Sequence, residues 1–252
     1  MTVLKRKLLH ASVACPHQCQ YCFAKWENYR NDETLTNAPR KDLLVYPFCD
    51  AELESQDFTT VLSSIIEQSD LDKCRIVISI STKSYLQDST LNELRAFHER
   101  LARYGGFLKV GVSFTNKSFS DIEKGAASFL ERVNLLKRLT QHGIMQSVVL
   151  KPILPFVSQK EYIEILDVVS DYSDKFLLGG LYVNESTTFY KDYIRGKYEA
   201  VLREISWLNG SKWLYLDSEE TQKAIKNYLI GKKKQAFASD QELVESWLED
   251  ER

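Results

Sequence analysis

The sequence predicts an α/β fold: a partial (β/α)6 barrel followed by a short helical C-terminal extension. Three observations carry this expectation. Six short β-branched or aliphatic runs alternate with longer segments of helical period up to residue 183, and such alternation marks βα units wound around a parallel sheet. Each run is apolar enough to be covered on both faces, as the strands of a parallel sheet are. Gly105-Gly106 and Gly143 stand where helical segments stop and a strand begins, and Gly143 can take the left-handed closing conformation.

Taken in order, the strands are expected at residues 8–13, 43–46, 75–80, 108–114, 146–151 and 177–183, and the crossover helices at 58–68, 91–104, 126–142 and 160–172. Residues 128–139 are the clearest amphipathic stretch, with apolar side chains returning every three to four positions. Beyond residue 183 the chain turns aromatic and charged and the repeat logic ends. Residues 189–205 and 219–230 read as helical and 212–216 as extended. Residues 239–252 form an acidic amphipathic segment with Leu243, Val244, Trp247 and Leu248 on one face, expected to pack. The barrel core is thus expected over residues 1–183 and the extension over 184–252, packed on it within one structural unit.

With 252 residues, 44% hydrophobic and 27% charged, the chain can bury a full core. Its net charge of -2 gives no overall attraction to phosphates, so any contact with nucleic acid must come from a local basic patch. Lys5, Arg6 and Lys7 are followed by no apolar run of signal-peptide length, and nowhere do 18 apolar residues stand together. A cytoplasmic protein with no membrane association is expected. Five cysteines, three of them between positions 15 and 22, argue for metal ligation over a disulfide framework.

Cys15-Pro-His-Gln-Cys19-Gln-Tyr-Cys22 follows directly on the first strand, so its thiols belong to a loop at a strand's carboxyl end, where α/β barrels place chemistry. Three residues between the first two cysteines and two between the next pair let a loop curl around one cuboidal cluster, and soft thiolates suit iron–sulfur clusters. A structural zinc ion is the alternative, with His17, His10 or Cys49 as fourth ligand.

This CxxxCxxC pattern, with an aromatic residue before its last cysteine, resembles the motif of the radical SAM superfamily. The likeness extends to Ile78-Ser-Ile-Ser-Thr82-Lys83-Ser84, Val110-Gly-Val-Ser113, Glu123-Lys-Gly125-Ala126, Glu131-Arg132 and Lys151-Pro152-Ile-Leu-Pro155. In order and spacing these are similar to the spore-photoproduct-lyase-like branch, over about residues 8–183. The resemblance implies a [4Fe-4S] cluster on Cys15, Cys19 and Cys22, with S-adenosylmethionine at the remaining iron. It further implies reductive cleavage to a 5'-deoxyadenosyl radical that abstracts hydrogen from a substrate, and an electron-donating partner such as flavodoxin or ferredoxin. Carried over by position, Tyr21 faces the adenine, Ser113 the ribose and Arg132 the methionine carboxylate, with Lys83 a third cofactor candidate. Glu123 also suits a plain helix start.

One departure stands out. After strand two the branch has a glycine pair and a glutamate for the methionine amine, whereas this chain has Tyr46-Pro47-Phe48-Cys49-Asp50-Ala51-Glu52. Asp50 or Glu52 offers a carboxylate instead, and Cys49 is either a hydrogen donor to a product radical or a small buried hydrophobe. With no cysteine beyond Cys74, the late hydrogen-donating thiol that dimer repair would use is missing. Aromatic residues such as Phe189, Tyr190 and Tyr193 offer stacking surfaces, and Lys232 to Lys234 a phosphate contact. The substrate expected is a nucleic acid or nucleoside; a peptide or small metabolite, and a zinc-stabilised binding module without enzymatic activity, are the alternatives.

Overall fold

The computed structural model describes residues 4–9, 15–22, 42–48, 52–55, 57–68, 74–205 and 212–250. Six strands lie side by side in chain order and all parallel: β1 (Lys5–Leu8), β2 (Leu43–Tyr46), β3 (Ile76–Thr82), β4 (Phe107–Ser113), β5 (Met145–Leu150) and β6 (Lys175–Leu178). A small antiparallel sheet of β7 (Leu181–Val183), β8 (Val201–Glu204) and β9 (Lys212–Leu216) follows, with β9 in the middle. The last strand, β10 (Gln235–Phe237), returns to the main sheet and pairs in parallel with β6. The seven-stranded sheet curls into a half-barrel.

Four crossover helices cover its outer face: α1 (Phe58–Glu67), α2 (Asp88–Ala102), α3 (Phe129–Gln141) and α4 (Gln159–Val169). Their apolar stripes, among them Leu62, Ile65, Leu94, Leu135, Leu139 and Ile165, pack on the alternate strand residues Val45, Ile78, Ile80, Val110, Val148 and Leu150. Each such buried aliphatic side chain contributes about 1.5–3 kcal/mol. Helix starts are fixed by side chains that satisfy otherwise orphaned amides. Asp57 accepts from Thr60 N (3.2 Å), Ser158 from Glu161 N (3.1 Å), and Ser128 and Glu131 form a reciprocal capping box. That box starts α3 at Phe129, three residues later than the apolar pattern alone indicates.

The other residues of the same strands point to the concave face, where Leu4, Leu44, Val77 and Phe107 meet Val244 and Leu248. Val149 and Leu177 meet Leu243 there. These three partners belong to α6 (Asp240–Asp250); the preceding helix, α5 (Glu219–Gly231), packs beside α4. The acidic tail segment therefore lies inside the half-barrel. Its first residue, Asp240, pairs with Lys109 and accepts from Ser79 Oγ (2.8 Å).

Three expectations change. The first strand is Lys5–Leu8 rather than 8–13, because an edge strand exposes Lys5 and Arg6 and tolerates their charge; residues 10–14 lie outside the described residues. The run 177–183 is two strands in two sheets, divided at Gly179-Gly180. A Cβ on Gly180 would stand 2.3 Å from the Leu216 carbonyl oxygen, so only glycine lets the chain cross to β9 there. Residues 189–205 are not one helix: a π-helical turn over Tyr190–Ile194 is followed by Gly196 at φ +70° and then β8. The extension therefore carries strands as well as helices.

Candidate active site

The cysteine loop, residues 15–22, is held against the segment leading into α3. Gln20 N donates to Ile122 O (2.9 Å) and Gly125 N to His17 O (3.1 Å), while His17 Nδ1 donates back to Gly125 O (2.6 Å). A Cβ on Gly125 would stand 2.6 Å from Pro16 O and 2.7 Å from His17 Cα, so the approach requires glycine. Gln18 at φ 48° turns the loop back on itself.

Cys19 is buried and Cys15 and Cys22 are half-buried. Burial pushes the Cys19 thiol up to about 12, although Lys83 pulls the other way. Cys15 is also raised by burial, against backbone N–H groups of His17 and Glu52 that hydrogen-bond its sulfur. Among the described residues no three His, Cys, Asp or Glu side chains stand close enough to share one metal ion. A tetrahedral ion would draw its sulfurs to within about 3.8 Å of one another. His17 spends both ring nitrogens within the protein, its Nε2 lying 2.8 Å from Glu52 Oε1, so it is not available as a fourth ligand. His10 and Cys49, the other candidates for that place, lie outside the described residues.

Beside the thiols the four cofactor candidates meet around one buried carboxylate. Glu123 Oε1 accepts from the hydroxyls of Tyr21 and Thr115. Its Oε2 lies 3.2 Å from Arg132 Nη1, and Lys83 Nζ is 3.5 Å from Oε1. Lys83 also donates to Ser113 Oγ, and Arg132 Nη1 to the Ser113 carbonyl (2.7 Å). Burial would raise the Glu123 pKa, but Lys83, Arg132 and the two hydroxyls outweigh it and hold the group at about 2. Burial and that carboxylate push the Tyr21 phenol well above its ordinary value, so it stays a donor. Tyr162 OH donates to Thr115 O (3.0 Å) and fixes Thr115 from α4.

Two cations face one carboxylate in this nest, and Arg132 Nε is buried without a hydrogen-bond partner among the described residues. An added carboxylate would supply that acceptor and balance the charge. Three thiols beside such a nest, soft ligands once a metal displaces their protons, fit an iron–sulfur cluster with an amino-acid-bearing cofactor.

No protein-family model matches the chain, and no curated protein sequence does. Solved structures match its fold at low identity. A variant of spore photoproduct lyase aligns over 92% of this chain and 81% of its own, with TM-score 0.62 and 16% identity. Another, with bound AdoMet and dinucleoside spore photoproduct, aligns over 89% and 73% at TM-score 0.64 and 16% identity. SuiB of Streptococcus suis, bound to S-adenosylmethionine, aligns over 94% of this chain but 50% of its own, at TM-score 0.54 and 14% identity. These neighbours are radical SAM enzymes. The chain has the radical SAM fold.

Within that fold Tyr21, Lys83, Ser113 and Arg132 come together, from four different elements. Thr115 and Glu123 complete the nest. Thr115 follows β4 by two residues and carried no separate sequence signal, whereas Glu123 was visible but equally read as a helix start. Glu52 is committed elsewhere: Thr82 Oγ1 (2.6 Å), Lys83 N (3.0 Å) and His17 occupy its carboxylate. Cys49 and Asp50 lie outside the described residues. Lys232 to Lys234 sit just before β10 in a wholly parallel sheet, which puts them at the opposite end of the barrel from the thiols. They cannot serve as a phosphate contact at this site.

At the thiol end, five aromatic rings from four segments form a cluster in which Phe156, Phe189 and Tyr193 all touch one another. Tyr21 meets Phe189 edge-on (6.0 Å), Phe189 stacks on Tyr193 (5.2 Å), Tyr193 lies 5.0 Å from Phe156, and Phe156 5.2 Å from Phe119. Phe189 is buried; Tyr193, Phe156 and Phe119 are half-buried. No helix among the described residues is long and apolar enough to cross a membrane.

Proposed function

We propose that this chain is a radical SAM enzyme acting on a nucleic acid or nucleoside. The observation that carries the reading is that the three-cysteine loop is held beside the buried nest of Tyr21, Lys83, Ser113 and Arg132 around Glu123, at the carboxyl end of a parallel half-barrel. Cys15, Cys19 and Cys22 would hold a [4Fe-4S] cluster, and the nest around Glu123 would hold S-adenosylmethionine. Bound there, these groups would supply one-electron, hydrogen-abstracting radical chemistry.

The chain's own residues bind and orient. Arg132 offers its unpartnered Nε–H to a carboxylate, Lys83 and Ser113 present a donor pair toward a ribose, and Glu123 keeps both cations in place. Tyr21, which lies between Cys19 and Cys22 in the loop, has its phenol tied to Glu123 and its ring fixed against Phe189. The concave face behind the site is filled by α6, which excludes water from that side. A nucleobase substrate is favoured by the half-buried rings Phe119, Phe156 and Tyr193 of that cluster, since rings accept bases by stacking at about 1–3 kcal/mol each. It is also favoured by the neighbour whose structure holds a dinucleoside.

Anaerobic reconstitution tests the reading. The expected result is a brown protein with about four irons per chain that releases 5'-deoxyadenosine from S-adenosylmethionine once reduced. Cys19→Ala should abolish both. Stoichiometric zinc with no visible absorption in the wild-type protein would overturn the reading.

A further inference from the structure

We propose that Glu52 is a positioning residue for the cysteine loop, acting with His17 as a clamp that fixes the thiols against the end of β3. This rests on the cluster reading above but concerns how the loop is held before any metal arrives. Four polar groups converge on the Glu52 carboxylate. His17 Nε2 (2.8 Å) and Lys83 N (3.0 Å) reach Oε1; Thr82 Oγ1 (2.6 Å) and Ser84 Oγ (3.4 Å) reach Oε2. A carboxylate has about four acceptor positions, so a cofactor amine would have to displace one of these contacts. The carboxylate that follows strand two is thus used to build the site rather than to touch the cofactor.

The clamp has a second jaw. His17 lies between Cys15 and Cys19, and its Nδ1 holds Gly125 O at 2.6 Å while its Nε2 holds Glu52. One imidazole therefore bridges the end of β3 and the segment entering α3. Both side chains are buried, with 4% of His17 and 6% of Glu52 exposed. A buried carboxylate or imidazole that lost its partner would swing toward water and carry the loop with it. The backbone N–H of Glu52 also reaches the Cys15 sulfur, so the residue touches the loop at two points. Because Lys83 N is one of the anchored groups, the clamp also sets the distance between the thiols and the Lys83 ammonium.

The metal-free protein gives a readout that does not depend on cluster or activity. Cys19 is 6% exposed, and its rate of alkylation by iodoacetamide, mapped by mass spectrometry, reports opening of the loop. Glu52→Ala and His17→Ala should each accelerate Cys19 alkylation at least five-fold, the double variant should be no faster than the faster single one, and Glu52→Gln should fall between. Cys74, before β3 at the far end of the sheet, serves as internal control and should keep its wild-type rate. An unchanged Cys19 rate in Glu52→Ala overturns the proposal, as does equal acceleration at Cys74, which would mean general unfolding. In reconstituted protein, Glu52→Ala should change the shape of the reduced cluster's electron paramagnetic resonance signal. A wild-type signal with only a raised KM for S-adenosylmethionine would assign Glu52 to the cofactor amine and overturn the clamp. Wild-type protein that takes up no iron would sink the enzyme reading while leaving the alkylation result to decide the clamp.

Discussion

The ammonium of Lys109, wholly buried in β4, is paired with the carboxylate of Asp240 at the start of α6. Removing one member of a buried pair strands the other, at about 3–5 kcal/mol. Asp240→Ala should therefore lower Tm by roughly 6–20 °C, given about 2–4 °C per kcal/mol in chains of this size. Joint replacement, Lys109→Met with Asp240→Leu, should recover most of that loss. Thermal unfolding followed by circular dichroism checks both, and an equal loss in the double variant would refute the pairing argument.

Acid should act through Glu123. Its folded pKa of about 2 lies below the unfolded value of about 4.3, so the stability it contributes is complete above about pH 4.3 and is lost as pH falls toward 2. A shift of two units corresponds to about 3 kcal/mol. Urea unfolding between pH 2 and 6 should show a steeper fall in stability for the wild type than for Glu123→Gln, which has no proton to take up. Parallel slopes would contradict this assignment.

Two glycine substitutions should separate close packing from backbone conformation. Gly125→Ala places a Cβ 2.6 Å from Pro16 O and must push the cysteine loop away, so iron retained after reconstitution and desalting should drop several-fold. Gly143, at φ +67°, has open space around it, so Gly143→Ala costs about 1–2 kcal/mol of backbone strain and leaves iron retention unchanged.

The two ends of the barrel should respond differently to an oligonucleotide. Replacing Lys232, Lys233 and Lys234 together by alanine should leave affinity for single-stranded DNA near wild type, because these residues lie away from the thiols. Phe156→Ala or Tyr193→Ala should weaken binding by about 1–3 kcal/mol, the worth of one stacked ring. Fluorescence anisotropy with a labelled oligonucleotide distinguishes the two outcomes.

Much of this architecture is local in origin and so was readable along the chain. Strand runs such as 43–46 and the stripes of α1 to α4 announce themselves through period and turn residues, and the thiol loop through spacing. The apolar period alone places the start of α3 three residues early, at 126, because it misses the capping pair Ser128 and Glu131. What else escaped depends on distant partners. Gly179-Gly180 looks like the middle of one strand until Leu216 O is known to press against it. Lys5 and Arg6 look like a charged leader until β2 pairs beside them. Glu123 and Glu52 stand out in sequence only as a helix start and a carboxylate after strand two, and only the folded chain shows one gathering Tyr21, Lys83 and Arg132 and the other gripping His17.

The helix inside the half-barrel bears on when this chain can finish folding. Asp240 lies 131 residues beyond Lys109, so during synthesis the sheet can assemble its outer layer long before the counter-charge for its hollow side exists. Until residues 240–250 emerge, the nascent chain presents an apolar trough with an uncompensated lysine at its centre, a surface that invites chaperones or misassembly. Tertiary closure in this way waits for residues 240–250 to be made, a cost in speed expected of contacts with long sequence separation.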